Sequence, residues 1–423
     1  MNLIFGAVLL MRICMISSEY PPKWGGVGVV TYYLSNWLAK KGHEVHVVTR
    51  EQKIGYLNSR NNIHIHPVKW LRVPMLFTTS FGGNAVKWVK DSGLDFDLVH
   101  VHSNMALLKR KHYDMIDAPI VSTMYGTWVG ERSKISLKDL TFDISAINDL
   151  AILFLSPFFD RYEDLALKRS KGVIAISRAE CRALSERSVK DTCKRRVLVY
   201  PGIDVEEFDP GKMDPSIKER YGIDPDDKII ISVGRWAARK GIRETVTAFE
   251  MMIEKRSDLS LVLVGWGPLG KEIERRARKK NLQSKIHLLE SLPFKDMQAL
   301  VATADLGMFH SYWEGFGLTF GEALASGTPI VVTDVGGAFD MVAEGTGKLI
   351  EVGDIKGQAE AALEILNRKD IEEMGTKGRK HIEKTFSWSV ISRQTEELYK
   401  WVVEDPDGRE KCRAGLTMCR DTY

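Results

Sequence analysis

The feature that most restricts the fold of this chain is a recurring unit: a short unbroken apolar run, a glycine-rich turn, then a segment with helical spacing. Its fullest instance runs from Asp305 to Pro329. Asp305 to His310 is the kind of run that forms a parallel strand buried on both faces. Ser311 to Gly321 supplies the turn, and Glu322 to Ser326 reads as helix with Gly327 at its C-cap. Parallel strands need helical crossovers, so a chain that repeats this unit is an α/β protein.

The unit repeats in two series. In the first, strands are expected at Met11–Ser17, Glu44–Thr49, Asp97–His102, Pro119–Met124, Gly172–Ser177 and Arg196–Tyr200, with a helix at Val29–Lys41. The turn Pro201-Gly-Ile-Asp204 marks a hinge. In the second, strands are expected at Lys228–Val233, Leu261–Val264, Ile286–Leu289 and Ile330–Thr333, with helices opening at Lys240-Gly241 and spanning Phe294–Thr303. The expected domains are 1–201 and 202–385, a helix at 386–403 packing back across them, and a frayed polar tail at 404–423.

Chemistry concentrates at strand exits, where ligands of open α/β sheets bind. Gly315, Gly317 and Gly321 leave backbone N–H groups uncovered at a helix N-terminus, which suits a phosphate. Glu314 and Glu322 bracket that turn. Carboxylates beside a phosphate make sense only if they grip neutral hydroxyls, such as those of a ribose and a sugar. Gly234-Arg235 ends one strand and Lys240 opens a helix, so two cations converge where a diphosphate would otherwise require a metal. Gly265 ends the next strand, at the start of another helix. Gly25, Gly26 and Gly28 place bare backbone at the start of the first helix, in a loop that is not the dinucleotide fingerprint. His102 ends a strand, two residues after a core-facing His100, and Tyr125 ends the next.

Composition narrows the function classes. Sixty basic against 56 acidic residues give a net charge of +4, too balanced to argue for nucleic acid. Five scattered cysteines (Cys14, Cys181, Cys193, Cys412, Cys419) without paired spacing suggest neither a disulfide framework nor a zinc site, and point to a reducing cytoplasm. His64 and His66 alternate on a strand without a third ligand, so no metal site is expected. Met1–Leu10 is apolar but lacks a following small-residue cleavage site, which leaves Met1 and Met11 as alternative starts. The apolar run Asp149–Tyr162, with Lys109-Arg-Lys111 and Arg132, reads as a core helix beside a solvated basic loop, or as an acceptor groove or peripheral membrane contact.

In order along the chain, MRICMISSEYPPKWGGVG, DLVHVHS, VIAIS, PGIDVEEFDP, VGRWAARKG, LVLVGWGP and EGFGLTFGEALASGTP resemble the retaining GT-B glycosyltransferases of family four. That resemblance implies two Rossmann-like, doubly wound domains facing across a cleft, a nucleoside diphosphate sugar as donor, and no metal or other cofactor. It implies that Arg235 and Lys240 hold the donor diphosphate as it leaves. Glu322 would take the ribose hydroxyls and Glu314 the donor sugar. Gly26 and its neighbours would approach from the other domain, and the amides near Gly317, Leu318 and Thr319 would complete the phosphate cradle. Tyr125 stands where many members carry a histidine that contacts the donor sugar, and Pro201 replaces the asparagine of a typical Asn-Gly-Val-Asp turn.

The expected activity is transfer of a hexosyl group, with retention, to a saccharide, lipid or other hydroxyl acceptor. A nucleotide-sugar epimerase or hydrolase of the same fold, or a non-catalytic sugar-nucleotide binder, are the alternatives. A dehydrogenase is excluded, because Thr49-Arg50 occupies the place of the acidic residue that follows a dinucleotide loop.

Overall fold

The computed structural model describes residues 9–21, 25–52, 61–73, 76–103, 106–127, 158–187, 195–406, 408–410 and 412–422. The chain divides into two units. The first takes its described residues from the stretch ending at Gly202 and from Trp388 onward, and the second spans Ile203–Ser387.

In the first unit β1 (Arg12–Ile16), β2 (Glu44–Arg50), β3 (Ile63–Val68), β4 (Leu98–His102), β5 (Ile120–Met124), β6 (Gly172–Ala175) and β7 (Arg196–Leu198) are parallel neighbours in the order β7-β6-β5-β4-β1-β2-β3. Every residue of β4 and β5 is buried, including the polar His100, His102, Ser122 and Thr123. The chain winds one way from β1 to β2 and β3, and the other way from β4 on, so the topological switch point lies between β1 and β4.

The helix Leu76–Asp91 has no apolar periodicity strong enough to mark it in the sequence, and its Gly82-Gly83 pair argues against a helix. Packing explains the pair. A side chain at Gly82 would place its Cβ 2.8 Å from the Leu107 carbonyl oxygen, so the helix seats against that loop only without one.

The second unit has β8 (Lys228–Val233), β9 (Leu259–Val264), β10 (Ile286–Leu289), β11 (Leu306–Phe309), β12 (Ile330–Thr333) and β13 (Gly347–Ile350), all parallel, in the order β10-β9-β8-β11-β12-β13. Its switch point lies between β8 and β11. The helices Ile242–Ile253 and Ile355–Leu366 bury Val246, Phe249, Met252, Ala362 and Ile365 in a core shared with Leu261 and Leu263.

The C-terminal region departs most from the sequence reading. The helix Trp388–Glu404 belongs to the first unit, where Trp388, Leu398, Tyr399 and Trp401 pack with Val121 and Ile174. The tail beyond it is not frayed: Thr417–Met418 forms β14, antiparallel to β7, and Met418 and Cys419 are buried. Asp405 fixes the approach by accepting from Arg195 at 2.6 Å and from the Glu410 N–H at 2.8 Å. Cys419 is joined by a disulfide to Cys181 on the helix Arg178–Glu186, contrary to the expectation of no disulfide. A separation of 238 residues carries no spacing signal, and only the placement of β14 brings the two sulfurs together. Cys14 is a buried free thiol and Cys412 an exposed one, while Cys193 lies outside the described residues.

Candidate active site

Because all strands of the second unit run parallel, the exits of β8, β9, β11 and β12 share one edge of its sheet. Gly234 and Arg235 leave β8, and Gly265 leaves β9 against the Gly234 carbonyl. The Arg235 guanidinium lies 5.0 Å from the centre of the Trp266 ring, and that tryptophan is 60% exposed. Stacking of this kind presets the guanidinium plane while leaving its N–H groups for a ligand.

Across the switch point the short helical turn Ala238–Lys240 brings Lys240 to Glu314. Its Nζ donates to Glu314 Oε1 at 2.5 Å, and Ser311 Oγ donates to the same oxygen at 2.9 Å. Ser311 is itself tied down, since Thr333 Oγ1 donates to its carbonyl at 2.6 Å. Lys240 is therefore a positioned charge rather than a mobile surface cation.

The helix after β11 begins at Leu318, one turn earlier than the sequence suggested, so Glu322 lies in its second turn rather than its first. Its N-cap is Gly317 at φ 94, a left-handed conformation that costs a glycine nothing, and no side chain caps the turn. The N–H groups of Leu318 and Thr319 thus point out of the helix N-terminus with no acceptor among the described residues. Glu322 is half-buried and has no ion-pair partner among the described residues. Burial pushes its carboxyl up to about 7, so near neutrality it exchanges between donor and acceptor.

In the first unit, His102 and Tyr125 end adjacent strands. His102 Nδ1 and the Tyr125 hydroxyl are 2.7 Å apart, with the rings stacked. Burial drives His102 down to about 3 and the tyrosine well above its ordinary value, so both are neutral. His102 is fully buried and Tyr125 half-buried, so of the two only the tyrosine faces outward. His100 is a satisfied core residue, bonded to Thr123 at 2.7 Å and Tyr399 at 2.6 Å.

The glycine loop of this unit is not bare, as the sequence implied. Glu19 Oε2 accepts the N–H of Gly25 at 2.9 Å and of Gly28 at 3.3 Å, putting the protein's own carboxylate at the start of the helix Gly26–Lys40. Gly26 is the first residue of that helix. A positive helix end attracts the nearest anion, and Glu19 is held there by the turn after β1. Glu19, Ser311 and Trp266 are the site residues that sequence reasoning missed. Only Trp266, next to Gly265 at a strand exit, carried a positional signal. Trp128, Arg132 and most of the apolar run 149–162 lie outside the described residues. Within its visible end, Phe159 and Tyr162 are buried as core and Phe158 is exposed.

Two doubly wound α/β units with ligand-type loops at their carboxyl edges define a GT-B protein, and solved structures agree on the fold. Sucrose-phosphate synthase from Thermosynechococcus elongatus aligns with a TM-score of 0.75 at 21% identity, over 93% of this chain and 99% of that one. Anabaena HepE in complex with UDP-glucose aligns at 0.69 and 17% identity, over 92% and 100%. Residues 213–381 match the model of the family described as Glycosyl transferases group 1, and residues 24–207 that of Glycosyltransferase Family 4. Among curated relatives, N-acetyl-alpha-D-glucosaminyl L-malate synthase of Bacillus anthracis is 27% identical, covering 91% of this chain and 96% of the relative. D-inositol 3-phosphate glycosyltransferase of Corynebacterium glutamicum (strain R) is also 27% identical, covering 94% and 99%. The two family models together span most of the chain, and both describe glycosyltransferases.

Proposed function

We infer that the protein transfers a hexosyl group from a nucleoside diphosphate sugar to a hydroxyl acceptor, with retention and without a metal ion. The observation that carries this reading is the composition of the second unit's switch-point edge. It holds two fixed cations, Arg235 and Lys240, the first-turn amides of Leu318 and Thr319, and Glu322 without a cation to neutralise it among the described residues. Cations and amides suit a diphosphate, and a half-buried carboxylate suits vicinal hydroxyls. The donor class is further supported by HepE, which was solved with UDP-glucose.

In the step we envisage, the bond from the anomeric carbon to the diphosphate oxygen breaks while the acceptor oxygen bonds that carbon on the same face. The acceptor proton passes to the departing phosphate oxygen, so no protein base is required. Arg235, Lys240 and the helix amides stabilise the negative charge that grows on the phosphate. Glu314, held by Lys240 and Ser311, is placed to contact the donor sugar. Tyr125, held by His102, offers a neutral hydrogen-bonding group in place of an imidazole. The acceptor is a saccharide, a lipid-linked sugar or another polyol; the two curated relatives are named for L-malate and for D-inositol 3-phosphate. These relatives lend no support to the epimerase, hydrolase or non-catalytic alternatives.

A screen of UDP-, GDP- and ADP-sugars for binding and slow hydrolysis tests the reading, with Glu322→Ala and Lys240→Ala as controls. Selective binding of one class by the parent, weakened in both variants, is the expected result. Variants that bind and turn over like the parent would remove the site from consideration.

A further inference from the structure

The amino-terminal end of β2 and β3 carries a second cluster, at the opposite edge of the first unit's sheet from His102 and Tyr125. β2 and β3 pair in register, with His46 opposite His64 and Val48 opposite His66. Glu44, His46, His64 and His66 therefore share one face at the sheet edge. The sequence offered His64 and His66 with no third ligand; the parallel neighbour supplies Glu44 and His46.

Glu44 Oε1 lies 2.9 Å from His46 Nε2 and 3.9 Å from His64 Nε2, and the three ligand atoms are all within 4.8 Å of one another. Ligands of a tetrahedral zinc ion with bonds of about 2.0–2.1 Å stand roughly 3.3–3.5 Å apart, between those two separations. The supporting contacts are those of a metal centre. His46 Nδ1 meets His66 Nε2 at 2.9 Å, which fixes the ring and leaves Nε2 for an ion. His66 in turn stacks on Trp88, with ring centres 3.9 Å apart, and Phe96 packs edge-on against His46. Arg12 donates to the other carboxylate oxygen, Glu44 Oε2, at 2.8 Å, orienting the group and leaving Oε1 outward. The His46 side chain is only 5% exposed, whereas His64 is 44% exposed, so the fourth position opens to water.

We propose that Glu44, His46 and His64 form a binding site for a divalent transition-metal ion, of the zinc or nickel class, that clamps the edge strand β3 to β2. Two imidazoles and a carboxylate select such ions over magnesium or calcium. In the metal-free protein His46 Nε2–H donates to Glu44. On binding, the ring carries its proton on Nδ1 and donates it to His66 Nε2, whose proton shifts to its own Nδ1, so the exchange is neutral. His66 is a positioning residue for His46.

The test uses the full chain without a histidine tag, titrated with Zn²⁺ against a chromogenic chelator, and with Co²⁺ by visible absorption. The expected result is one ion per chain and tetrahedral Co²⁺ bands without thiolate charge transfer. Zn²⁺ should also raise the melting temperature of the parent but not of His64→Ala. Affinity should fall at least tenfold in His64→Ala and Glu44→Gln, and by about 10–100-fold in His66→Ala, but stay at the parent value in His381→Gln. Because His64 is exposed, its loss leaves the core intact. Absence of stoichiometric binding, affinity undiminished in His64→Ala and Glu44→Gln, or a thiolate band lost in Cys412→Ser would each overturn the proposal. None of these readouts involves sugar transfer, so a failed donor assignment leaves them unchanged.

Discussion

At the scale of single residues, Glu322 makes the sharpest prediction. Its folded-state value of about 7 stands above the ordinary 4.5 because burial penalises the charge. Between these values the folded protein holds a proton that the unfolded chain has released, so stability falls as pH rises from 4.5 to 7 and levels off above. The contribution lost is on the order of 1–3 kcal/mol. Histidines held neutral by burial, such as His66, His100 and His102, add the opposite slope over the same range, so the test is a difference: the urea stability of the parent minus that of Glu322→Gln should fall between pH 4.5 and 7, and a constant difference would contradict the assignment. Donor affinity should move the other way, strengthening as Glu322 ionises to accept hydroxyls. Lys240 works differently, because the charge it faces grows only as the phosphate departs. Lys240→Ala should therefore lower kcat by about 100–1000-fold with a lesser effect on KM. A change confined to KM would mean that Lys240 only holds the ground state.

At the scale of elements, the disulfide between Cys181 and Cys419 ties a two-residue edge strand to a helix of the first unit. β14 alone offers too little pairing to stay docked, so the covalent link is what holds it. Cys419→Ser should destabilise the first unit by about 2–4 kcal/mol in urea. Reductant should do the same to the parent, with two more thiols titrating under denaturing conditions. If Cys419→Ser unfolds like the parent, the tail is held by Asp405 and its partners instead. This element also shows what the sequence could reveal and where it stopped. Strands buried on both faces were legible because burial favours apolar runs: Lys228–Val233 and Ile330–Thr333 lie where the runs lie. The polar tail and the helix with Gly82-Gly83 were not, since each is fixed by a partner distant in sequence. The same divide runs through the site. Arg235, Lys240, Glu314 and Glu322 were legible as charges beside strand exits, whereas the Glu19 bonds to Gly25 and Gly28 depend on a turn geometry that spacing does not encode.

At the scale of the whole molecule, the described residues cross between the units at Gly202–Ile203 and at Ser387–Trp388. The crossings run side by side: the Ile203 N–H donates to the Phe386 carbonyl at 2.7 Å, Ile203 bridges to Ser387, and Gly202 lies against the Trp388 ring. The stretch Ile203–Ser387 is thus bounded by ends that meet, and it holds its own sheet and core. The first unit is discontinuous and depends on Trp388, Leu398, Tyr399 and Trp401 to complete its core. A chain ending at Ser387 should consequently lose the first unit, because large aromatic side chains leave its interior together. A fragment of residues 203–387 should unfold cooperatively by itself, since compact units with their own core can fold alone. Residues up to Gly202 joined to Trp388 by a short Gly-Ser linker should also fold, the ends being already adjacent. If the switch-point edge of the second unit holds the donor, the 203–387 fragment should bind the nucleotide sugar within about tenfold of the parent, a difference of about 1.4 kcal/mol. Calorimetry on the two fragments separates the cases. A folded 203–387 that binds nothing would place the decisive donor contacts in the first unit, with Tyr125 and the loop at Gly25 as the next residues to change.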